Sequence, residues 1–375
     1  MNSNDVTGML DTIIIGGGQA GLTLGHHLKQ QQRNFLILDA NQRSGDAWRQ
    51  RWDSLRVFTP AKYDGLPGQP FPADPLSFPT KDEVADYLEG YAERNGLPVH
   101  HGARVERLWR EGSHYVATTN GHRWEARNAV VATGVSQAPN VPGFAVELAP
   151  ATVQLHSSQY RNPGQLQDGP VLVVGLGNSG AEIALEVART HPTTVAGKPS
   201  GELPVKHGRT AARYALPVVR FLGLHVLTLG TPVGRKAAPT FTAHAAPLIR
   251  TKTKDLAAAG VRVVPRMAGV EDGQPVLADG ARLEAANVIW CTGFRDDFSW
   301  IDPGLLDGGA LPRQHRGVAL DTPGLFFLGQ EFLYAAASAT LPGVGRDARY
   351  LARKMPRSVP AAEPPVSRGS AAAAA

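Results

Sequence analysis

Apolar residues along this chain gather into short unbroken runs. Thr12-Ile13-Ile14-Ile15, Phe35-Leu36-Ile37-Leu38 and Val171-Leu172-Val173-Val174 are β-branched or apolar at every position. That is the pattern of strands buried on both faces of a parallel sheet. Mixed stretches that read as helices, Leu22 to Gln31 and Ala181 to Arg189, follow the first and third runs, and a further strand is expected around Thr193 to Ala196. Strand, helix and strand in repetition predict an α/β fold. Three more apolar runs end in glycine: Val130-Val131-Ala132-Thr133-Gly134, Val288-Ile289-Trp290-Cys291-Thr292-Gly293 and Gly324-Leu325-Phe326-Phe327-Leu328-Gly329. Small residues at a strand end allow close backbone approach, to a ligand or to a crossover between domains. The Ala-rich segment Tyr334 to Thr340, followed by Gly343 and Gly345, predicts a last helix that returns over the site.

The turns between strand and helix point to the chemistry. Gly16-Gly17-Gly18-Gln19-Ala20-Gly21 directly follows the first strand, and Asp39 ends the next one. Gly16 permits a tight turn, Gly18 lets the backbone approach a pyrophosphate, and Gly21 lets helix and strand pack closely. Asp39 stands where a carboxylate binds ribose hydroxyls. Gly175-Leu176-Gly177-Asn178-Ser179-Gly180 repeats the spacing after the third strand, so a second dinucleotide is expected, again at a helix N-terminus. Its second strand runs into Gly197-Lys198-Pro199-Ser200 with no acid where the first unit has Asp39. A carboxylate there would repel a 2′-phosphate and Lys198 would attract one, which predicts NADPH over NADH; as a bland alternative, Lys198 is a solvated loop lysine.

Composition narrows the classes. The single cysteine, Cys291, excludes an internal disulfide framework, a multi-cysteine metal site and a Cys-x-x-Cys redox pair. The histidines, His100-His101 included, lack metal-ligand spacing, so no metal is assigned. A net charge of +5 comes without blocks of Lys and Arg interleaved with aromatics, so nucleic acid is not an expected partner. No apolar run approaches the roughly 20 residues of a membrane span, and the polar start, Met1 to Asp11, predicts a cytoplasmic location. From Pro356 the chain is rich in Pro, Ala and Ser and is expected to be disordered.

Further segments complete the pattern: Gly45-Asp46-Ala47-Trp48-Arg49, Arg51-Trp52-Asp53-Ser54-Leu55-Arg56-Val57-Phe58-Thr59-Pro60, Phe78-Pro79-Thr80-Lys81 and Gly343-Val344-Gly345-Arg346-Asp347. With the two glycine turns they resemble the flavin-containing monooxygenases, specifically the bacterial branch close to the plant auxin-forming YUCCA enzymes. The resemblance implies FAD on the first turn, with Trp48, Arg49 and Thr59 along it, and NADPH on the second; the small residues at the strand ends, Ala132, Thr133, Gly134 and Gly329, are expected as further flavin contacts. The resemblance also implies a flavin 4a-hydroperoxide that passes one oxygen atom of dioxygen to a small organic substrate, at nitrogen, at sulfur or in a Baeyer–Villiger oxidation. One segment departs from the family: His156 and Tyr160 fit its Phe-x-Gly-x-x-x-His signature, but Pro150 and Thr152 replace the Phe and Gly. The hinge role of that segment therefore does not carry over directly, and His156 reads equally well as a hydrogen-bonded structural residue.

The expected architecture is two Rossmann-like dinucleotide-binding domains, the NADPH domain (151–286) inserted in an FAD domain made of 1–150 and 287–355. An insertion at about 215–259 admits three roles: packing against its own domain, which is favoured, capping a substrate channel, or presenting a basic face to a membrane, which ranks last. Two alternatives to the monooxygenase stay open on sequence: an NADPH oxidase or reductase that makes peroxide, and a flavin-binding redox sensor.

Overall fold

Two parallel sheets organise the chain, each built outward from one of the unbroken apolar runs. A computed structural model describes residues 8–243, 246–308 and 310–356. Most of the polar start and the tail from residue 357 lie outside these described residues. The first sheet centres on Leu10–Ile15, whose parallel neighbours are Phe35–Leu38 on one side and His122–Val131 on the other. Ile14 stands opposite both Ile37 and Val130, and all three are fully buried. Val99–His100 extends one edge in parallel, and Leu325–Phe327 joins the far side of His122–Val131. An antiparallel hairpin, Arg107–Glu111 with His114–Thr119, also pairs with that long strand.

Helix Gln19–Gln30 follows the first glycine turn, and the last helix, Leu341–Lys354, packs against it. Small residues let the backbone pack tightly at the start of the last helix and beside Ala20 of the first. A Cβ on Gly343 would lie 1.8 Å from Ala337 O, and one on Gly329 would lie 2.9 Å from Ala20 Cβ. Helix Lys81–Arg94 begins with a reciprocal cap: Thr80 accepts from the Glu83 amide while the Glu83 carboxylate accepts from Thr80 N at 2.7 Å.

The second sheet runs in the order Arg262–Val264, Thr193–Ala196, Val171–Val174, Asn287–Trp290, Val153–His156, parallel throughout. This corrects the expected boundary at residue 287. Asn287–Trp290 pairs with Val171–Val174 and Val153–His156, so it belongs to the inserted unit, and the chain returns to the first unit only after Trp290. Both crossings between units lie side by side, since Phe294–Arg295 pairs antiparallel with Ala138–Pro139.

The insertion also differs from expectation at both ends. Helix Thr253–Ala258 is an ordinary part of the second unit, with Leu256 buried in its core beside Val195 and Val261. The inserted piece is the helical stretch 209–243. It packs on the first unit rather than on its own: Leu229 N donates to Tyr334 O at 2.8 Å, Ala336 N to Leu227 O at 3.0 Å, and the rings of Phe241 and Phe332 are 5.5 Å apart. Among the described residues no helix is long and apolar enough to cross a membrane.

Candidate functional site

The first glycine turn is shaped by what its neighbours leave no room for. Gly16 has φ +113°, open to glycine and costly for other residues, and a Cβ there would lie 2.5 Å from Ala132 O. A Cβ on Gly21 would lie 1.9 Å from Gly16 O, so helix and turn touch backbone to backbone. Gly18, by contrast, faces open space, with nothing within 4 Å of the same position. It caps helix Gln19–Gln30 without a side-chain cap, and the first turn, which holds Gln19 and Ala20, contains no acid. Free amides at a positive helix end, with room beside the glycine, fit a pyrophosphate.

Asp39 lies at the end of the neighbouring strand and is buried. Its Oδ1 accepts from Asn41 N at 2.8 Å and Asn41 Nδ2 at 2.9 Å. Its Oδ2 sits against Gly17, where an added Cβ would come within 2.3 Å. Thr133 Oγ1, two residues past strand His122–Val131, is buried without a partner, while Gly134 takes φ +72°. A buried hydroxyl without a partner beside an open glycine turn fits a cofactor with polar groups to offer.

Three further residues expected along the flavin have well-defined protein partners. Trp48 packs between the cores of the two units. The Arg49 guanidinium is committed to Asp46, Asp86 and Glu89, at 3.1, 2.7 and 2.6 Å. Thr59 donates to Asp64, a fully buried carboxyl whose second oxygen has no partner. Burial pushes this carboxyl up to about 7, against the lowering effect of the Thr59 hydrogen bond.

The second turn repeats the first almost contact for contact. Gly175 has φ +105° and a Cβ there would meet Cys291 O at 2.4 Å, while one on Gly180 would meet Gly175 O at 1.9 Å. Ala132 and Cys291 are thus equivalent: each directly follows the neighbouring strand and turns its carbonyl onto the first glycine. Gly177 caps helix Asn178–Val187, again with no side-chain cap and no acid in the first turn, which holds Ser179. Asn178 has a positioning duty: its amide donates to Pro247 O at 3.0 Å and accepts from Ile249 N at 2.8 Å. Lys198 is exposed just after strand Thr193–Ala196, and no ion pair is recorded for it among the described residues.

His156 ties the crossings together. Its Nε2 lies 2.9 Å from Gly293 O, which can only accept, so this nitrogen carries the proton and Nδ1 accepts from Ser158 Oγ at 2.9 Å. Burial lowers its pKa, helped by the nearby Arg51 charge and opposed by the Gly293 hydrogen bond. The neutral ring is therefore a structural tie between strand ends. Arg51 stands beside it, over the Phe294 ring at 5.2 Å, with no carboxylate partner among the described residues; burial and then Arg161 lower its pKa.

Neither Asp64 nor Arg51 stands out in the sequence as a site residue, and neither does Arg250, whose side chain joins the units. Arg250 pairs with Glu182 at 3.2 Å and donates to Arg56 O and Val57 O at 3.0 and 2.6 Å. The available signal was a run of basic residues starting at Arg250, which could not reveal a partner in a helix 68 positions earlier.

Comparison with known proteins agrees with this geometry. The family model described as pyridine nucleotide-disulphide oxidoreductase matches residues 13–202. An uncharacterized CzcO-like oxidoreductase of Geobacillus kaustophilus is 38% identical over 346 residues, covering 92% of this chain and 97% of the relative. The indole-3-pyruvate monooxygenase YUCCA1 of Oryza sativa subsp. japonica is 34% identical over 181 residues, 47% of this chain and 45% of that protein. Among solved structures, a flavin-containing monooxygenase from Stenotrophomonas maltophilia superposes with a TM-score of 0.75 at 30% identity, covering 92% of this chain and 98% of that one.

Proposed function

We infer that this chain, which belongs to the flavin-containing monooxygenases, holds FAD on its first glycine turn and NADPH on its second, and transfers one oxygen atom of dioxygen to a small organic substrate. The observation that carries the reading is the pair of matched turns, each closed at its first and last glycine and the first of them open at Gly18, in a chain whose lone cysteine supplies no dithiol. Bound FAD would supply the two-electron chemistry that links NADPH to dioxygen.

The protein's own contribution is binding, orientation and exclusion of water. Gly16, Gly18, Gly21 and the amides of Gln19 and Ala20 would seat the FAD pyrophosphate, and Asp39 Oδ2 would take a ribose hydroxyl. Thr133 Oγ1 would find its missing partner on the same cofactor. Gly175, Gly177, Ser179 and Gly180 would seat the NADPH pyrophosphate, with Asn178 holding the 246–249 segment in place beside it. The helical stretch 209–243 closes over the first unit and would help keep water from the reacting centre.

Lys198 would set the nicotinamide preference. Lys198→Asp is expected to raise KM for NADPH at least about tenfold and leave NADH nearly unchanged, the size of one charge-assisted contact to phosphate. An unchanged ratio of the two KM values removes Lys198 from the site. The reaction itself is tested with ¹⁸O-labelled dioxygen and a panel of sulfides, amines and ketones. One labelled atom per NADPH in an organic product is the expected result. Return of all consumed dioxygen as hydrogen peroxide, whatever substrate is added, replaces the monooxygenase with an oxidase.

A further inference from the structure

Between Leu203 and Lys254 the chain carries nine lysines and arginines and no aspartate or glutamate. The helical stretch 209–243 lies within this region and has two unlike faces. The inner face holds the buried Ala211, Ala212, Leu216 and Leu224, and the stretch is tied to the first unit through the backbone of Leu227 and Leu229. On the outer face Tyr214, Val218, Phe221, Leu222 and Val233 are exposed, Val218 at 57% and Phe221 at 56%. More than half of the exposed large apolar side chains among the described residues fall between Tyr214 and Phe241. Arg213, Arg235 and Lys236 are exposed among them, and no carboxylate pairs with any of the three among the described residues. Scattered apolar side chains on a surface are ordinary, whereas a cluster interleaved with unpaired cations marks a contact surface.

We propose that this outer face docks on the surface of an anionic lipid bilayer. The partner must be both apolar and negatively charged, and a bilayer interface is both, without requiring a shaped groove. The helices are short: Leu216–Phe221 and Pro232–Ala243 suit lying in the headgroup layer rather than crossing it. A second copy is disfavoured by charge, because a two-fold contact sets the same patch against itself and would bring all its cations together. Packing on the first unit and facing a membrane are then the two faces of one element, so a lipid-dissolved substrate would meet the enzyme at this stretch.

Sedimentation of the FAD-loaded full chain with vesicles tests this. The protein is expected to pellet with vesicles of phosphatidylcholine mixed with phosphatidylglycerol and to stay in solution with phosphatidylcholine alone. Combined Arg213→Glu, Arg235→Glu and Lys236→Glu is expected to lower partitioning about 100-fold or more, given the usual worth of each cation near an anionic surface. Val218→Ser with Phe221→Ser is expected to lower it while leaving its salt dependence in place. Retained flavin absorbance identifies variants that are folded. Absence from both pellets, equal partitioning to both vesicles, or unchanged partitioning of the charge-reversed variant overturns the proposal. So does a concentration-dependent dimer abolished by the Val218 and Phe221 changes, or binding to polyglutamate without binding to vesicles.

Discussion

One added methyl group separates the two kinds of glycine in the first turn. At Gly21 it would lie 1.9 Å from Gly16 O, a backbone atom that cannot step aside without moving the strand. At Gly18 the protein itself has room, so only a ligand would object. Gly21→Ala is therefore expected to destabilise the fold, and Gly18→Ala to fold normally yet bind FAD at least about tenfold more weakly. Flavin titration alongside urea denaturation separates them, and equal behaviour of the two variants would remove Gly18 from the cradle. Asp64 makes a different prediction. The unfolded chain loses the Asp64 proton near the ordinary value of 3.8, whereas the folded chain keeps it up to about 7. Its contribution to stability therefore falls as pH rises through that window. Asp64→Asn is expected to flatten the decline in urea midpoint between pH 4 and 7, and a variant as pH-dependent as the parent would assign the effect elsewhere. The glycines were legible in the sequence because their requirement is set within a few residues. Asp64 was not, because its burial depends on distant segments closing round it.

Helices and strands carry their own signals unevenly. The cap of Lys81–Arg94 is written locally, with Thr80 three residues before Glu83, and Thr80→Ala is expected to cost about 1 kcal/mol. Hydrogen exchange should speed up in the first turn of that helix and hardly change in Leu341–Lys354; uniform acceleration would show that the cap governs more than its own helix. Strands were easy to see and hard to place. Val288-Ile289-Trp290 is apolar enough to be a buried strand in either sheet, and nothing within it specifies pairing with Val171–Val174 and Val153–His156. Sheet membership is a long-range property, which is why the expected boundary at 287 was displaced by several residues. The inserted helices posed the same problem, since their buried face is satisfied by Leu227–Leu229 meeting Tyr334–Ala336 more than a hundred positions later.

At the scale of the whole molecule, the two units were predictable as units because the glycine turn recurs in full context. Their mutual arrangement was not, because it depends on single contacts between residues far apart in the chain. Arg250 is the clearest of these contacts, reaching from the second unit to the carbonyls of Arg56 and Val57 while neutralising Glu182. Arg250→Ala leaves a buried carboxyl without its cation, and burial already pushes Glu182 up to about 7. The expected result is looser docking, read as exchange around residues 56–58 at least about tenfold faster, with both cores still protected. Unchanged exchange there would mean that other contacts hold the units together. The adjacent crossings have a different kind of consequence. Ala138 and Arg295 are partners across a two-stranded ladder, so the points where the chain leaves and rejoins the first unit are about 5 Å apart. A gap that narrow can be closed by a short turn, which makes the inserted unit a cassette that recombination could add or remove without unravelling its host. The scar would be apolar, because Trp52 and Leu55, encoded in the host, are buried in the guest's core.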